Sequence, residues 1–332
     1  MNFVVINLKK NTLTFIFLIF TLLLILFSEN NLIAAKNGFL LFANNVLPAL
    51  FPFFIATEIL YKTNINYILS KVFSRITKPL FNVPGQAASA IILGMISGYP
   101  IGAKIVCSLK KDKLITNVEA ERLIAYTNNS SPLFILSTVG ISLYNNSSIG
   151  YKLLFIHIIS SLIVGILFRF WKYSKKEISI NRDYNGSKTS LIKLSNLGEI
   201  LSDAIKNSIS SLLLICGFIV IFSIIISILE LTNFFNIFSN LFSIFNVPPE
   251  ASKSILTGII EMTNGINLSS KIVANFSILS IMITSFLLGF GGLSIMMQIY
   301  SLISKESISI KPYFYGKALQ GLISSILILL II

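Results

Sequence analysis

Four clusters of small and polar residues interrupt otherwise apolar stretches of this sequence. They are Ser97-Gly98-Tyr99-Pro100, with Lys104 one turn on; Asn128-Asn129-Ser130-Ser131-Pro132; Glu261 with Thr263-Asn264-Gly265; and Gly289-Phe290-Gly291-Gly292, with Ser294 beyond. Glycine and proline in such runs stop a helix, and Ser or Pro restarts one. Ser130 or Ser131 can cap a half-helix that has Pro132 at its first position, and Pro100 can open another. A half-helix N-terminus offers unpaired N–H donors and a partial positive charge, which suit a carboxylate or phosphate. Lys104 could add a fixed cation for the same anion. Glu261 just before its break is an intramembrane carboxylate, costly enough to be a functional candidate by default. Gly291-Gly292 with Ser294 supplies a flexible break with a hydroxyl. The expected chemistry is therefore reversible binding of a small anion at these clusters.

Each residue also has a plainer role. Asn128–Ser131 can simply tie helices together, Lys104 can snorkel to the cytoplasmic face, and Glu261 can sit at a wetted outer interface. Glu58 and Lys62 read as a structural i,i+4 pair, and His157 as a packed polar residue. Cys107 and Cys216 lie far apart without CxxC spacing and imply neither a disulfide nor a metal site. One histidine, no clustered metal ligands and no spaced nucleophile–base pair argue against an intramembrane enzyme. No cofactor is expected, and the coupling ion is left open.

The elements that must position these clusters follow from composition. Of 332 residues 54% are hydrophobic and only 12% charged, where a soluble domain carries about a quarter charged residues. Several apolar stretches approach the roughly 20 residues needed to cross a bilayer. The net charge of +13 sits between apolar segments, so it is a topology signal and no nucleic-acid partner is expected. The partner is the lipid bilayer, and a homo-oligomer is compatible with it. Lys9-Lys10 followed by Leu13–Phe27 reads as an uncleaved signal anchor over residues 1–38.

The rest repeats. Phe81-Asn82-Val83-Pro84 recurs as Phe245-Asn246-Val247-Pro248, and Ala87, Ile91 and Gly94 match Ala251, Ile255 and Gly258. With one residue of slippage Gly102 meets Gly265, Asn128-Asn129 meets Gly291-Gly292, and Ser131 meets Ser294. Each half, 39–170 and 207–332, then has a spanning helix, an amphipathic interfacial helix, an interrupted hairpin, a broken helix and a plain spanning helix. Ile65, Ile68, Leu69, Val72, Phe73 and Ile76 form one interfacial face; Phe234, Ile237, Phe238, Leu241, Phe242 and Phe245 form the other.

Charge sets the relative orientation. Residues 62–122 carry nine Lys or Arg, the equivalent 230–275 only Lys253 and Lys271, and the basic connector 171–206 includes Lys175, Lys176 and Arg182. With a cytoplasmic N-terminus and re-entrant hairpins, 22 of the 26 Lys and Arg fall inside, as the positive-inside tendency requires. The expected fold is an all-α polytopic membrane protein of two inverted repeats. Interrupted helices at matching places in such halves point to a transporter's central site.

The chain also resembles a known family. Leu50-Phe51-Pro52-Phe53-Phe54, Ser97–Lys104 and Thr127–Phe134 resemble the family of the sporulation integral membrane protein YlbJ (SpoVV), in the nucleoside-recognition Gate superfamily. The part list is similar to concentrative nucleoside transporters. The resemblance implies a role in endospore formation, moving dipicolinic acid from the mother cell across the outer forespore membrane. Dipicolinate is a planar aromatic dianion, which helix N-termini with Lys104 would suit. The first hairpin tip lacks the acidic residue expected for nucleoside and sodium binding. The alternatives are a nucleoside or cation carrier of the same fold, or a non-transport sporulation membrane factor.

Overall fold

The computed structural model describes residues 2–63, 65–172, 196–244, 246–272 and 277–332. The basic connector residues Lys175, Lys176 and Arg182, and Phe245 of the second interfacial face, lie outside the described residues. Every regular element among the described residues is helical.

The N-terminal helix α1 (Asn2–Leu26) ends at Phe27, and α2 (Ser28–Leu41) runs through a π turn at Phe42–Val46 into α3 (Leu47–Lys62). Residues 28–38, expected to belong to the signal anchor, therefore begin the first long span, Ser28–Leu60. Its partner is α9 (Leu197–Leu231), 35 residues long. The two run antiparallel: Gly38 packs against Ser223 near one end, and Asn207 Nδ2 donates to Glu58 at the other (3.3 Å). Among the described residues four helices are long and apolar enough to cross a membrane.

The first interfacial helix is α4 (Ile65–Phe81). Its i,i+4 apolar row Ile68, Val72 and Ile76 is exposed, and it meets the next helix at 99°. A bare apolar stripe along one face of a helix is the pattern of an amphipathic helix. The second is α10 (Phe234–Ser243), with Ile237 exposed. Both end at a left-handed asparagine, Asn82 (φ 53°) and Asn246 (φ 55°), the non-glycine type that best tolerates positive φ. The two copies of Phe-Asn-Val-Pro thus share a left-handed asparagine.

The first hairpin is α5 (Ala88–Ser97) and α6 (Ile101–Lys111), and the second α11 (Pro249–Ile260) and α12 (Met262–Ser269). The broken helices are α7 (Asn117–Ile124) followed by a π-helical segment Phe134–Leu143, and α13 (Ser277–Phe290) followed by α14 (Gly292–Ile303). Helices α8 (Ser147–Phe168) and α15 (Lys311–Ile328) complete the halves. Small residues bring α13 and α15 together: Gly289 lies on Gly321, and Ser285 and Ser324 each donate to the other's carbonyl (3.0 and 2.8 Å). Such contacts drive packing where no hydrophobic effect separates helix from lipid.

Candidate functional site

The first half lays a non-helical strand, Asn128–Ser131, beside its hairpin, and Asn128 Oδ1 accepts the Ala103 N–H of α6 (2.7 Å). Gly98 takes φ 85° at the hairpin tip, where a Cβ would lie 3.0 Å from Ser131 N. Ser97 is tied to Thr57 of α3 by a hydroxyl–hydroxyl hydrogen bond. Of the two serines expected to cap, Ser131 does so, its Oγ accepting the Phe134 N–H (3.2 Å).

The second hairpin breaks earlier than its sequence suggests. The break is at Glu261, which is extended (φ −140°), while Thr263, Asn264 and Gly265 lie in the first turn of α12. The Glu261 carboxylate accepts the N–H groups of Thr263 (3.1 Å) and Asn264 (2.7 Å). A carboxylate at a helix N-terminus outcompetes a glycine break as the helix start, so this half-helix already holds an anion of its own. Glu261 is 1% exposed, so the wetted-interface reading does not hold. Gly265 packs on Gly258, and Asn264 Nδ2 donates to Ser223 of α9 (2.9 Å). The other break falls at Gly291 (φ 84°) and Gly292 (φ 79°); Gly289 stays helical.

All four breaks meet. Tyr99 hydroxyl hydrogen-bonds Ser130 (2.8 Å) and donates to Met262 Sδ (3.0 Å). A Cβ on Gly292 would lie 3.2 Å from Met262 N. They enclose a cavity of about 30 Å³, with Tyr99, Ser130, Ser131, Glu261 and Gln298 in its wall and Leu50, Ile215 and Ile219 closing it. At roughly 10–15 Å³ per probe-sized water site, it holds about two waters. Among the described residues Glu261 is the only charged side chain lining it. Gln298 Oε1 and Ser294 Oγ are buried without a hydrogen-bond partner among the described residues.

Behind this wall lies a network the sequence reading missed. Lys317 is 1% exposed and donates to Gln320 Oε1 (2.7 Å). Gln320 Nε2 donates to Asn129 Oδ1 (3.0 Å), and Asn129 Nδ2 donates to the Tyr126 carbonyl (2.8 Å) and Ser161 Oγ (3.1 Å). His157 Nε2 accepts the Ser130 N–H (3.2 Å), the packed polar role expected of it. Lys317 has no carboxylate within ion-pair distance among the described residues. A lysine and a glutamine three apart in an apolar C-terminal helix were the available signal.

Lys104 does not join the cavity. It bonds Ser211 of α9 and lies 3.8 Å from Glu58, lining two pockets on that side with Thr57, Pro100 and Asn207. Glu58 therefore pairs with Lys104; the Lys62 side chain lies outside the described residues.

No solved structure matches this chain. A family model described as Gate, nucleoside recognition, matches residues 43–162, from the π turn before α3 through most of α8, and so includes Tyr99, Asn129 and Ser130. The sporulation integral membrane protein YlbJ of Bacillus subtilis (strain 168) is 33% identical over 98% of this chain and 84% of its own length. Since that likeness runs from α1 to α15, through both hairpins and both broken helices, the chain belongs to the family of sporulation integral membrane protein YlbJ.

Proposed function

We propose that this multi-pass membrane protein carries a small organic anion by alternating access, with the meeting point of the four breaks as its binding site. The halves are then inverted copies, 39–170 and 207–332, with a cytoplasmic N-terminus. The anion is dipicolinate, leaving the mother cell across the outer forespore membrane. One observation carries the reading: four interrupted elements, far apart in sequence, converge on one cavity. Irregular backbone inside a membrane is tolerated where it lines a cavity, and convergence at matching breaks is the architecture of a carrier's site. A cavity for two waters is smaller than a pyridine dicarboxylate, so on this reading the elements around it move apart to admit the anion. Lys317 supplies the buried positive charge that Lys104 was expected to give, reaching the site through Gln320 and Asn129.

A second reading is favoured by Glu261. The lone charged group lining the cavity is a carboxylate, which suits a hydroxyl-rich neutral solute such as a nucleoside, or a cation. Titration calorimetry of the detergent-purified protein separates the two. The anion reading expects dipicolinate heat that Lys317→Met abolishes and uridine does not compete away. Uridine binding without dipicolinate binding overturns it in favour of the second.

A further inference from the structure

Three cavities are strung along one stripe of α9. The central cavity touches it at Ile215 and Ile219. Toward the helix N-terminus, a pocket of about 300 Å³ is lined by Asn207, Ser210 and Ser211 of α9, with Glu58, Pro100 and Lys104. Toward the C-terminus, another of about 400 Å³ is lined by Ser223, Ser227 and Glu230 of α9, with Asn37, Asn264 and Asn267. Positions 207, 211, 215, 219 and 223 recur every fourth residue, so they share one helix face. From Asn207 to Glu230 that face spans about 35 Å at roughly 1.5 Å per residue, against a hydrocarbon core of about 30 Å.

The antiparallel partner repeats the order independently. Asn30 and Asn37 of α2 line the large pocket, Val46 and Leu50 the central cavity, and Thr57 and Glu58 of α3 the pockets at the other end. Two helices running in opposite directions thus agree on a polar, apolar, polar sequence along the same line. Polar side chains at both ends of a bilayer-length stripe are costly unless they face water, and the apolar middle is where water stops. Each outer pocket also abuts one hairpin break: Pro100 follows Tyr99, and Asn264 sits on the Glu261 cap.

We propose that the α9 face from Asn207 to Glu230 is the wall of a path for hydrated polar solutes, with a vestibule at each end. Ile215 and Ile219, closed by Val46 and Leu50, form the barrier between them. This rests on the carrier reading above but names neither anion nor coupling, and its test needs no substrate.

The test is thiol accessibility in a Cys107→Ser/Cys216→Ser background, with a membrane-impermeant charged methanethiosulfonate applied to right-side-out and inside-out vesicles. Ser211→Cys is expected to react from one face only and Ser223→Cys from the opposite face only. Ile219→Cys is expected to react at least tenfold more slowly from either face. Leu213→Cys, on the exposed side of α9, is expected to stay unlabelled. Ser108→Cys and Asn37→Cys repeat the pair on α6 and α2, should a change in α9 fail to fold. Labelling of Ser211→Cys and Ser223→Cys from the same face, labelling of neither pair, or fast labelling at Ile219→Cys overturns the proposal. If dipicolinate binding is absent while the two-sided pattern holds, the anion reading fails and the path stands.

Discussion

Gln320 bridges a buried ammonium to the strand that walls the cavity, so its removal should be far worse than removal of the ammonium. It is fully buried, accepts from Lys317 Nζ at 2.7 Å and donates to Asn129 Oδ1 at 3.0 Å. Gln320→Leu leaves the Lys317 amine 1% exposed and without its acceptor. A buried hydrogen bond to a charged group is worth about 1.5–3 kcal/mol and a neutral one about 1 kcal/mol. The expected loss is therefore about 2.5–4 kcal/mol, the sum of the two bonds. Lys317→Met removes the charge with the bond and fills the same space with apolar atoms. It leaves Gln320 Oε1 unpaired but removes the amine that most needs a partner, so it should cost about 1–2 kcal/mol, less than Gln320→Leu. The double variant should then be more stable than Gln320→Leu alone, a coupling of at least about 1.5 kcal/mol in a double-mutant cycle. Thermal unfolding in one detergent, with reversible denaturant titration, reads all four corners. Additive losses, or a Gln320→Leu protein as stable as the parent, would refute the reasoning, since Lys317 would then have another acceptor.

Other outcomes follow from the same contacts. Gly102→Ala should cost about 2–4 kcal/mol in the same unfolding assay, from overpacking plus a weakened buried hydrogen bond. Its Cβ would lie 2.3 Å from the Thr127 carbonyl oxygen and displace the Asn128–Ala103 bond. Gly217→Ala meets nothing within 4 Å and should stabilise α9 by up to about 1 kcal/mol, through helix propensity alone. Ser131→Ala should lose about 1 kcal/mol, the usual worth of a helix N-cap, with Ser131→Thr recovering most of it; equal stability of all three proteins would count against the cap. Glu261→Ala uncovers two buried N–H groups, which Glu261→Gln can still half satisfy. The alanine variant should therefore be the less stable of the two, by at least about 1 kcal/mol.

The helices and their interruptions were legible because each has a local cause. Pro132 and Ser131 mark a helix start by their own chemistry, and Val72 and Ile76 announce an interfacial face by spacing. The Phe-Asn-Val-Pro repeat was legible as a residue pattern, and the left-handed asparagine that both copies share came from the structure. What could not be read was rotation about each helix axis. Lys104 is one turn beyond the hairpin tip, and spacing alone allowed it to face the site; its Cβ direction on α6 aims it at Glu58 and Ser211 instead. Lys317 and Gln320 were missed for the converse reason, because α15 buries them against α8 and the Asn129 strand. The second break moved from Gly265 to Glu261 because a carboxylate cap and two close-packed glycines hold Thr263–Gly265 helical. The cap is a local signal, whereas the Gly258–Gly265 contact between the two arms is one that no local pattern displays.

Flux tests most directly whether the convergent breaks form a solute site. Purified protein in proteoliposomes, given radiolabelled dipicolinate on one side, should show saturable uptake. Asn129→Ala, which disconnects Gln320 from the cavity wall, should lower that uptake at least tenfold while the protein remains folded and monodisperse. Saturable uptake that Asn129→Ala leaves unchanged, or no dipicolinate uptake by the unaltered chain, would contradict the account.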